Sequence, residues 1–91
     1  MAEKLFSLEV LTPRKKIFSG QVASVVAPGT LGYLGILANH APLMTTLGPG
    51  RIVCRESSGA SRVIYAAGEG FLEVYKNQVS VLVDEVTEPS S

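Results

Sequence analysis

Hydrophobic and polar residues alternate along much of this chain with a period of two. Near the start, three hydrophobic residues occupy every second position: Phe6, Leu8 and Val10. Successive side chains of a β-strand point to opposite faces, so this period predicts a strand with one buried face. The same alternation recurs near the end, where five residues are expected to face inward: Leu72, Val74, Val79, Val81 and Val83. No segment shows a convincing helical period, and the pattern therefore predicts strands throughout.

The second half of the chain contains two predicted hairpins. Each consists of two β-rich runs separated by turn-forming residues, and the four strands are 51–56 with 61–67 and 71–75 with 78–84. The first turn covers residues 57–60. The second consists of Lys76 and Asn77, where asparagine tolerates the positive φ of a tight turn.

The first half is divided by glycine and proline. Residues 16–19 and 21–27 are predicted to form two short strands that flank Gly20, where a bulge or bend is expected. Pro28 and Gly29 are predicted to form the turn that follows them.

These segments together predict an all-β fold. About eight to ten short strands are typical of a sandwich or flattened barrel of two antiparallel sheets. A chain of 91 residues has room for one domain. We expect the β-sandwich domain to span residues 1–86 and a frayed C-terminal tail to span residues 87–91.

Charge and hydropathy exclude several classes of partner. Eight Lys plus Arg residues balance eight Asp plus Glu residues, so no net field attracts nucleic acid. Residues 17–50 carry no Asp, Glu, Lys or Arg, but glycine and proline interrupt them too often for a membrane helix. We therefore expect neither nucleic-acid binding nor direct membrane insertion. The alternating start of the chain also predicts that no signal peptide precedes the fold.

The sequence offers little for catalysis. His40 is the only histidine, and every carboxylate lies outside residues 17–50, so a nucleophilic triad has no visible members. Cys54 is in phase with Ile52 and is expected to be buried. We predict no catalytic residue, metal site, cofactor or small-molecule ligand, and expect His40 to hydrogen-bond backbone in the loop before Pro42.

One segment carries a specific pattern. Residues 28–43 read PGTLGYLGILANHAPL, which resembles the P-G-x-x-G-x-x-G-I-x-x-x-H-A-P-L signature of the epsilon subunit of F-type ATP synthases. Further segments match that family in the same order: residues 11–13, 17–20, 47–50, 70–74 and 79–85. The resemblance thus covers nearly the full chain.

The resemblance implies the N-terminal β-sandwich domain of a non-catalytic subunit in the central stalk of a rotary motor. Its partners are expected to be the gamma subunit and the c-ring, so that ion-driven rotation is coupled to ATP synthesis. The residues expected to face the c-ring are Leu31, Gly32, Tyr33 and Leu34. Those expected to face the gamma subunit are His40, Ala41, Pro42 and Leu43. The implied location is peripheral, in the F1 sector at the cytoplasmic face of the bacterial inner membrane.

Two departures from the family pattern change the expectation. Family members often carry acidic residues where this chain has Leu31 and Tyr33, so an exposed apolar tip formed with Leu34 is expected here. Many members also continue into a helical hairpin, and since this sequence stops at Ser91, we expect the activities of that hairpin to be absent. Without the motif, the alternative is a small β-sandwich module that binds a ligand or associates with itself.

Overall fold

The computed structural model describes residues 4–87, and within that range the chain forms nine β-strands and no helix. The strands are β1 (Phe6–Leu11), β2 (Lys16–Gly29), β3 (Gly32–Leu37), β4 (Leu43–Leu47), β5 (Gly50–Glu56), β6 (Ser61–Ala66), β7 (Gly70–Tyr75), β8 (Gln78–Val83) and β9 (Val86–Thr87). The predicted all-β class is confirmed. In the described range there is also no helix of the length and apolarity needed to cross a bilayer.

The strands form two curved layers that share β2. One layer has the order β3-β2-β5-β6-β9, and the other has the order β4-β7-β8-β1-β2. A single pair, Gly29 with Leu47, joins β2 to β4 and closes the second layer into a ring. The predicted flattened barrel or sandwich is therefore confirmed. One detail differs from the prediction of two antiparallel sheets: β1 and β8 run parallel.

The long strand β2 corrects two predictions. Residues 16–29 form one continuous strand, and Gly20 pairs with Leu8 inside its ladder. Pro28 and Gly29 also lie in this strand, where they pair with Tyr33 and Gly32. The Pro28 carbonyl accepts from the backbone N–H of Gly48 at 2.8 Å. The strand therefore continues through both residues, and the turn comes after them.

Side chains from both layers fill the space between them. The residues predicted to face inward in β1, β7 and β8 are all buried, as are Ile52 and Cys54 of β5. The cluster is completed by residues of β2, β3, β4 and β6: Val22, Val25, Ala27, Ile36, Leu47, Ile64 and Ala66. Strand periodicity thus identified the core positions of the regular hairpins correctly.

The two predicted hairpins are present, as β5–β6 and β7–β8. In the second turn Lys76 and Asn77 have φ values of 48° and 60°, as the tight type I′ turn requires. At the end of the described chain, Thr87 lies in β9 and pairs with Tyr65 of β6. The rest of the predicted tail, residues 88–91, lies outside the described residues.

Candidate functional site

The two predicted interface segments lie at opposite ends of β3. Thr30 and Leu31 form the two-residue turn between β2 and β3, which we call the tip turn. Residues 38–42 connect β3 to β4 and contain His40, and we call them the His40 loop. Because a strand rises about 3.3 Å per residue, the seven steps from Leu31 to Ala38 separate the two by roughly 23 Å. The structure therefore does not bring the two segments together.

The tip turn is held tightly against its neighbours. Thr30 donates its backbone N–H to the carbonyl of Thr46 at 3.2 Å, and their hydroxyl oxygens lie 2.9 Å apart. A Cβ atom added to Gly29 would lie 2.6 Å from the carbonyl oxygen of Gly32, so only glycine fits there. The side chain of Leu31 projects outward and is 104% exposed. A large hydrophobic side chain is thus presented on a well-anchored turn.

Tyr33 shares the exposed surface of the tip but is tied to the fold. Its side chain is 59% exposed, while its hydroxyl oxygen accepts a hydrogen bond from the backbone N–H of Arg51 at 3.1 Å. The same oxygen would lie 2.6 Å from a Cβ added to Gly50. The tyrosine therefore links the start of β3 to the start of β5.

Leu34 and Gly32 differ from the rest of the tip. Leu34 packs against the core cluster, which corrects the expectation that it is exposed with Leu31 and Tyr33. Neighbouring residues of a strand point to opposite faces, so Tyr33 and Leu34 cannot share one surface. Gly32 has a φ of 132° and follows the turn with a conformation that favours glycine.

The His40 loop is ordered by polar contacts. His40 donates from Nδ1 to the carbonyl of Ala41 at 2.7 Å, which confirms the expected hydrogen bond to loop backbone. Since a carbonyl only accepts, this contact places the proton on Nδ1 and leaves Nε2 of the neutral ring as an acceptor. His40, Ala41 and Pro42 are exposed, whereas Leu43 is half-buried against the core.

An asparagine pair that the sequence analysis missed fixes the position of this loop. Asn39, with a φ of 65°, donates its backbone N–H to Asn77 Oδ1 at 2.5 Å, and Asn77 Nδ2 donates to Asn39 Oδ1 at 2.9 Å. The carbonyl of Asn77 also accepts from the N–H of Ser7. The β7–β8 turn thus holds the His40 loop and the start of β1 together. The two asparagines are 38 positions apart, and no local pattern joins them.

A second feature missed from sequence is the outer apolar face of the first layer. Residues paired across a ladder share one face, and four of them form a row across four strands: Gly35, Val26, Val53 and Val63. Leu37 and Tyr65 are exposed on the same face. Residues 22–28 are almost continuously apolar, so their sequence did not reveal which side chains point outward.

The clefts and titratable groups offer little for chemistry. One cleft of about 640 Å³ lies between the β1–β2 turn and the β8–β9 connection, and its lining includes Arg14, Lys15, Asp84 and Glu85. Small-molecule sites are usually lined by apolar side chains. Among residues 4–87, no three His, Cys, Asp or Glu side chains are grouped so as to hold a metal ion.

Comparisons with known proteins show a consistent similarity. Residues 5–89 match the family model described as ATP synthase, Delta/Epsilon chain, beta-sandwich domain. The chain is 44% identical over 80 residues to an ATP synthase epsilon chain of Dichelobacter nodosus, which covers 88% of this chain and 55% of the relative. It is 43% identical over 84 residues to an ATP synthase epsilon chain of Pelotomaculum thermopropionicum, covering 92% and 61%. The chain thus spans little more than half the length of these relatives.

Solved structures show the same fold at low sequence identity. A chain in the cryo-EM structure of the Euglena gracilis mitochondrial ATP synthase superposes with a TM-score of 0.85 at 21% identity, covering 91% of this chain and 52% of that one. A chain of the Tetrahymena thermophila mitochondrial ATP synthase central stalk and c-ring gives a TM-score of 0.77 at 16% identity, covering 97% and 69%. At these identities the likeness concerns the fold alone.

Proposed function

Since this chain belongs to the family of the ATP synthase delta/epsilon chain β-sandwich domain, we propose that it is a non-catalytic central-stalk part of an F-type ATP synthase. In this role it binds the gamma subunit and rests on the c-ring, so that ion-driven rotation is coupled to ATP synthesis. Its place is peripheral, in the F1 sector at the cytoplasmic face of a bacterial inner membrane. The observation that carries the proposal is the pair of ordered, exposed segments at the two ends of β3.

The tip turn is the part proposed to seat on the c-ring. Leu31 is fully exposed and lies in a segment without formal charge. Desolvating an apolar side chain is favourable when a partner covers it, and aromatic anchors such as Tyr33 are common at interfaces. Gly32 gives the turn its shape, while Leu34 supports it from the core side.

The His40 loop is the part proposed to contact the gamma subunit. His40 already donates from Nδ1 within the loop, so its Nε2 is available to accept a hydrogen bond from a partner. Ala41 and Pro42 add exposed apolar surface beside it. Leu43 is half-buried and fixes the start of β4. A donor on the gamma subunit would complete the hydrogen bonding of the imidazole.

Calorimetric titration with the gamma subunit from the same source tests the proposal. We expect a saturable one-to-one complex, weakened about tenfold by His40→Ala because one interfacial hydrogen bond is lost. Ser80→Ala, on the exposed outer face of β8, is the matched control and should bind as the wild type does. Absence of binding by the wild type at physiological salt would refute the stalk role.

Binding to purified c-ring tests the other end. Leu31→Ala removes an exposed side chain without disturbing the turn, so lost affinity reports the contact itself. Tyr33→Ala is less informative because it also removes the hydrogen bond from Arg51. Met44→Ala is the control, since Met44 is also apolar and exposed, at 64%, but lies on β4. Unchanged c-ring binding by Leu31→Ala would remove the tip turn from the interface.

A further inference from the structure

Strand β3 has one edge without a partner strand in the described part of the chain. It pairs with β2 along Gly32–Leu37, and no other strand within residues 4–87 pairs with it. All six of its residues, GYLGIL, are uncharged, and none is proline. Proteins usually protect exposed edges with lysine, proline, bulges or short strands, because unpaired backbone groups attract another strand. None of these devices occurs in β3.

The residues along this edge complement a second copy of themselves. Tyr33, Gly35 and Leu37 face outward, as their exposure shows, whereas Leu34 and Ile36 between them face the core. Two antiparallel copies centred on Gly35 place outward residues opposite outward residues and inward opposite inward. We propose that β3 pairs in this register with β3 of a second copy of this chain, forming a two-fold symmetric dimer with a sheet continuous across both copies.

The register matches large side chains with large ones. Tyr33 lies opposite Leu37 of the second copy, and these side chains are 59% and 64% exposed in the single chain. Aromatic and aliphatic residues paired across strands stabilise a sheet. Leu34 lies opposite Ile36, and the two Gly35 residues face each other at the symmetry axis. Each large outward residue therefore gains a cross-strand neighbour.

Charge does not oppose this pairing. Residues 17–50 contain no Asp, Glu, Lys or Arg, so the segments on both sides of the β3 edge meet without repulsion between like charges. The row formed by Gly35, Val26, Val53 and Val63 would continue across the axis into the second copy. The outer apolar face of each chain would thus join that of its partner.

The size of the contact sets its strength. One strand pair of six residues buries less area than a stable dimer interface, which usually needs more than about 1,200 Å² in total. The dimer is therefore weak and reversible, and it forms when the chain is concentrated and β3 is not otherwise occupied. This inference does not rest on the proposed stalk role, because it concerns the isolated chain alone.

Sedimentation equilibrium over a wide concentration range tests the inference. We expect a monomer–dimer equilibrium in the wild type, weakened at least tenfold by Gly35→Lys, which sets two like charges opposite each other at the axis. A Cβ added to Gly35 meets only the Val26 side chain, at 3.9 Å, so the monomer accommodates the lysine. Unchanged thermal unfolding at low concentration checks this.

The matched control is Ser80→Lys, which adds the same charge on the opposite layer, where Ser80 pairs with Glu73 and Glu9. It should dimerise as the wild type does. A monomeric wild type at all concentrations, or equal effects of both lysines, would overturn the proposal. If the β3 edge instead binds a strand of another protein, the isolated wild type would stay monomeric at all concentrations.

A cysteine cross-link tests the register. Opposed residues of antiparallel strands have Cα atoms about 4.5–5.5 Å apart, within the range of a disulfide. Gly35→Cys should therefore form a disulfide-linked dimer under mild oxidation much faster than Ser80→Cys. Cys54 is buried and does not compete. Equal cross-linking rates of the two variants would show that Gly35 does not lie on a symmetry axis.

Discussion

Gly70 lies so close to β8 that no side chain fits at its position. A Cβ added there would overlap the carbonyl oxygen of Leu82 and lie 2.8 Å from the Cα atom of Val83. Both are backbone atoms of the paired strand, so they cannot move aside as a flexible side chain can. The β7–β8 pairing at this point therefore requires glycine, which has no side chain.

Gly70→Ala is expected to lower the free energy of unfolding by about 3 kcal/mol, because the methyl group forces the two strands apart. Urea denaturation measures the change. Gly48→Ala is the control, since a Cβ at Gly48 meets no atom within 4 Å, and it should stay within about 0.5 kcal/mol of the wild type. Equal stability of both variants would show that β7 and β8 are not so closely paired.

Cys54 is a second residue whose properties follow from its position. It is buried in the core, and burial, followed by the negative charge of Glu56, raises the pKa of its thiol above the ordinary value of 9.0. The thiolate is the nucleophilic form of cysteine. The folded protein therefore keeps this thiol neutral and unreactive.

The raised pKa predicts a loss of stability in alkali. Below pH 9 the thiol is protonated in both states, and its stabilising effect is fully present. As pH rises from 9 through the folded pKa, the unfolded state loses its proton first, so the free energy of unfolding falls. Urea titrations between about pH 8 and pH 11 should show a steeper fall in the wild type than in Cys54→Ala. If the free energies of unfolding of the two proteins fell in parallel with pH, the raised pKa of Cys54 would be contradicted.

At the scale of elements, the β7–β8 hairpin does more than connect two strands. Its turn residue Asn77 has the positive φ of a type I′ turn, and its side chain forms two hydrogen bonds with Asn39 of the His40 loop. One residue thus serves a local turn and a contact between layers. The hairpin thereby orders a loop that is distant in sequence.

Asn77→Gly separates these two roles. Glycine suits the type I′ turn, so the hairpin should persist, while the bonds to Asn39 are lost at a cost of about 1–2 kcal/mol. Amide hydrogen exchange at Asn39 should become about tenfold faster or more. Lys76→Asn keeps both bonds and is the control. Unchanged exchange in Asn77→Gly would mean that the loop is ordered without this pair.

At the scale of the whole molecule, the arrangement of layers separates the proposed interfaces. The tip turn and the His40 loop lie about 23 Å apart along β3, with Ile36 and Leu34 anchoring the strand between them in or against the core. Substitutions at sites this far apart, without shared contacts, usually have additive effects. The two ends are thus expected to bind independently.

A double-mutant cycle of Leu31→Ala and His40→Ala checks this independence. Leu31→Ala should leave the affinity for the gamma subunit unchanged, and the coupling between the two substitutions should stay below about 0.5 kcal/mol. Calorimetric titration of the four proteins provides the values. A larger coupling would show that one partner contacts both ends of β3.

The structure also shows where sequence patterns were sufficient and where they were not. The inward faces of β1, β7 and β8 were predicted from alternation alone, because a period of two is a local property of a strand. Glycine and proline gave the wrong prediction in β2, since pairing with β1 holds the strand through Gly20 and pairing with β3 holds it through Pro28. The inward direction of Leu34 was available from its neighbour Tyr33, once both were assigned to one strand.

The sequence by itself determined the all-β class, the two late hairpins, the buried Cys54 and the family signature of residues 28–43. All of these depend on residues close together in the chain. Only the tertiary structure decided the parallel pairing of β1 with β8, the Asn39–Asn77 bridge, the outer apolar face and the open edge of β3. These features join residues far apart in sequence, and their positions follow from how strands pack and pair across the molecule.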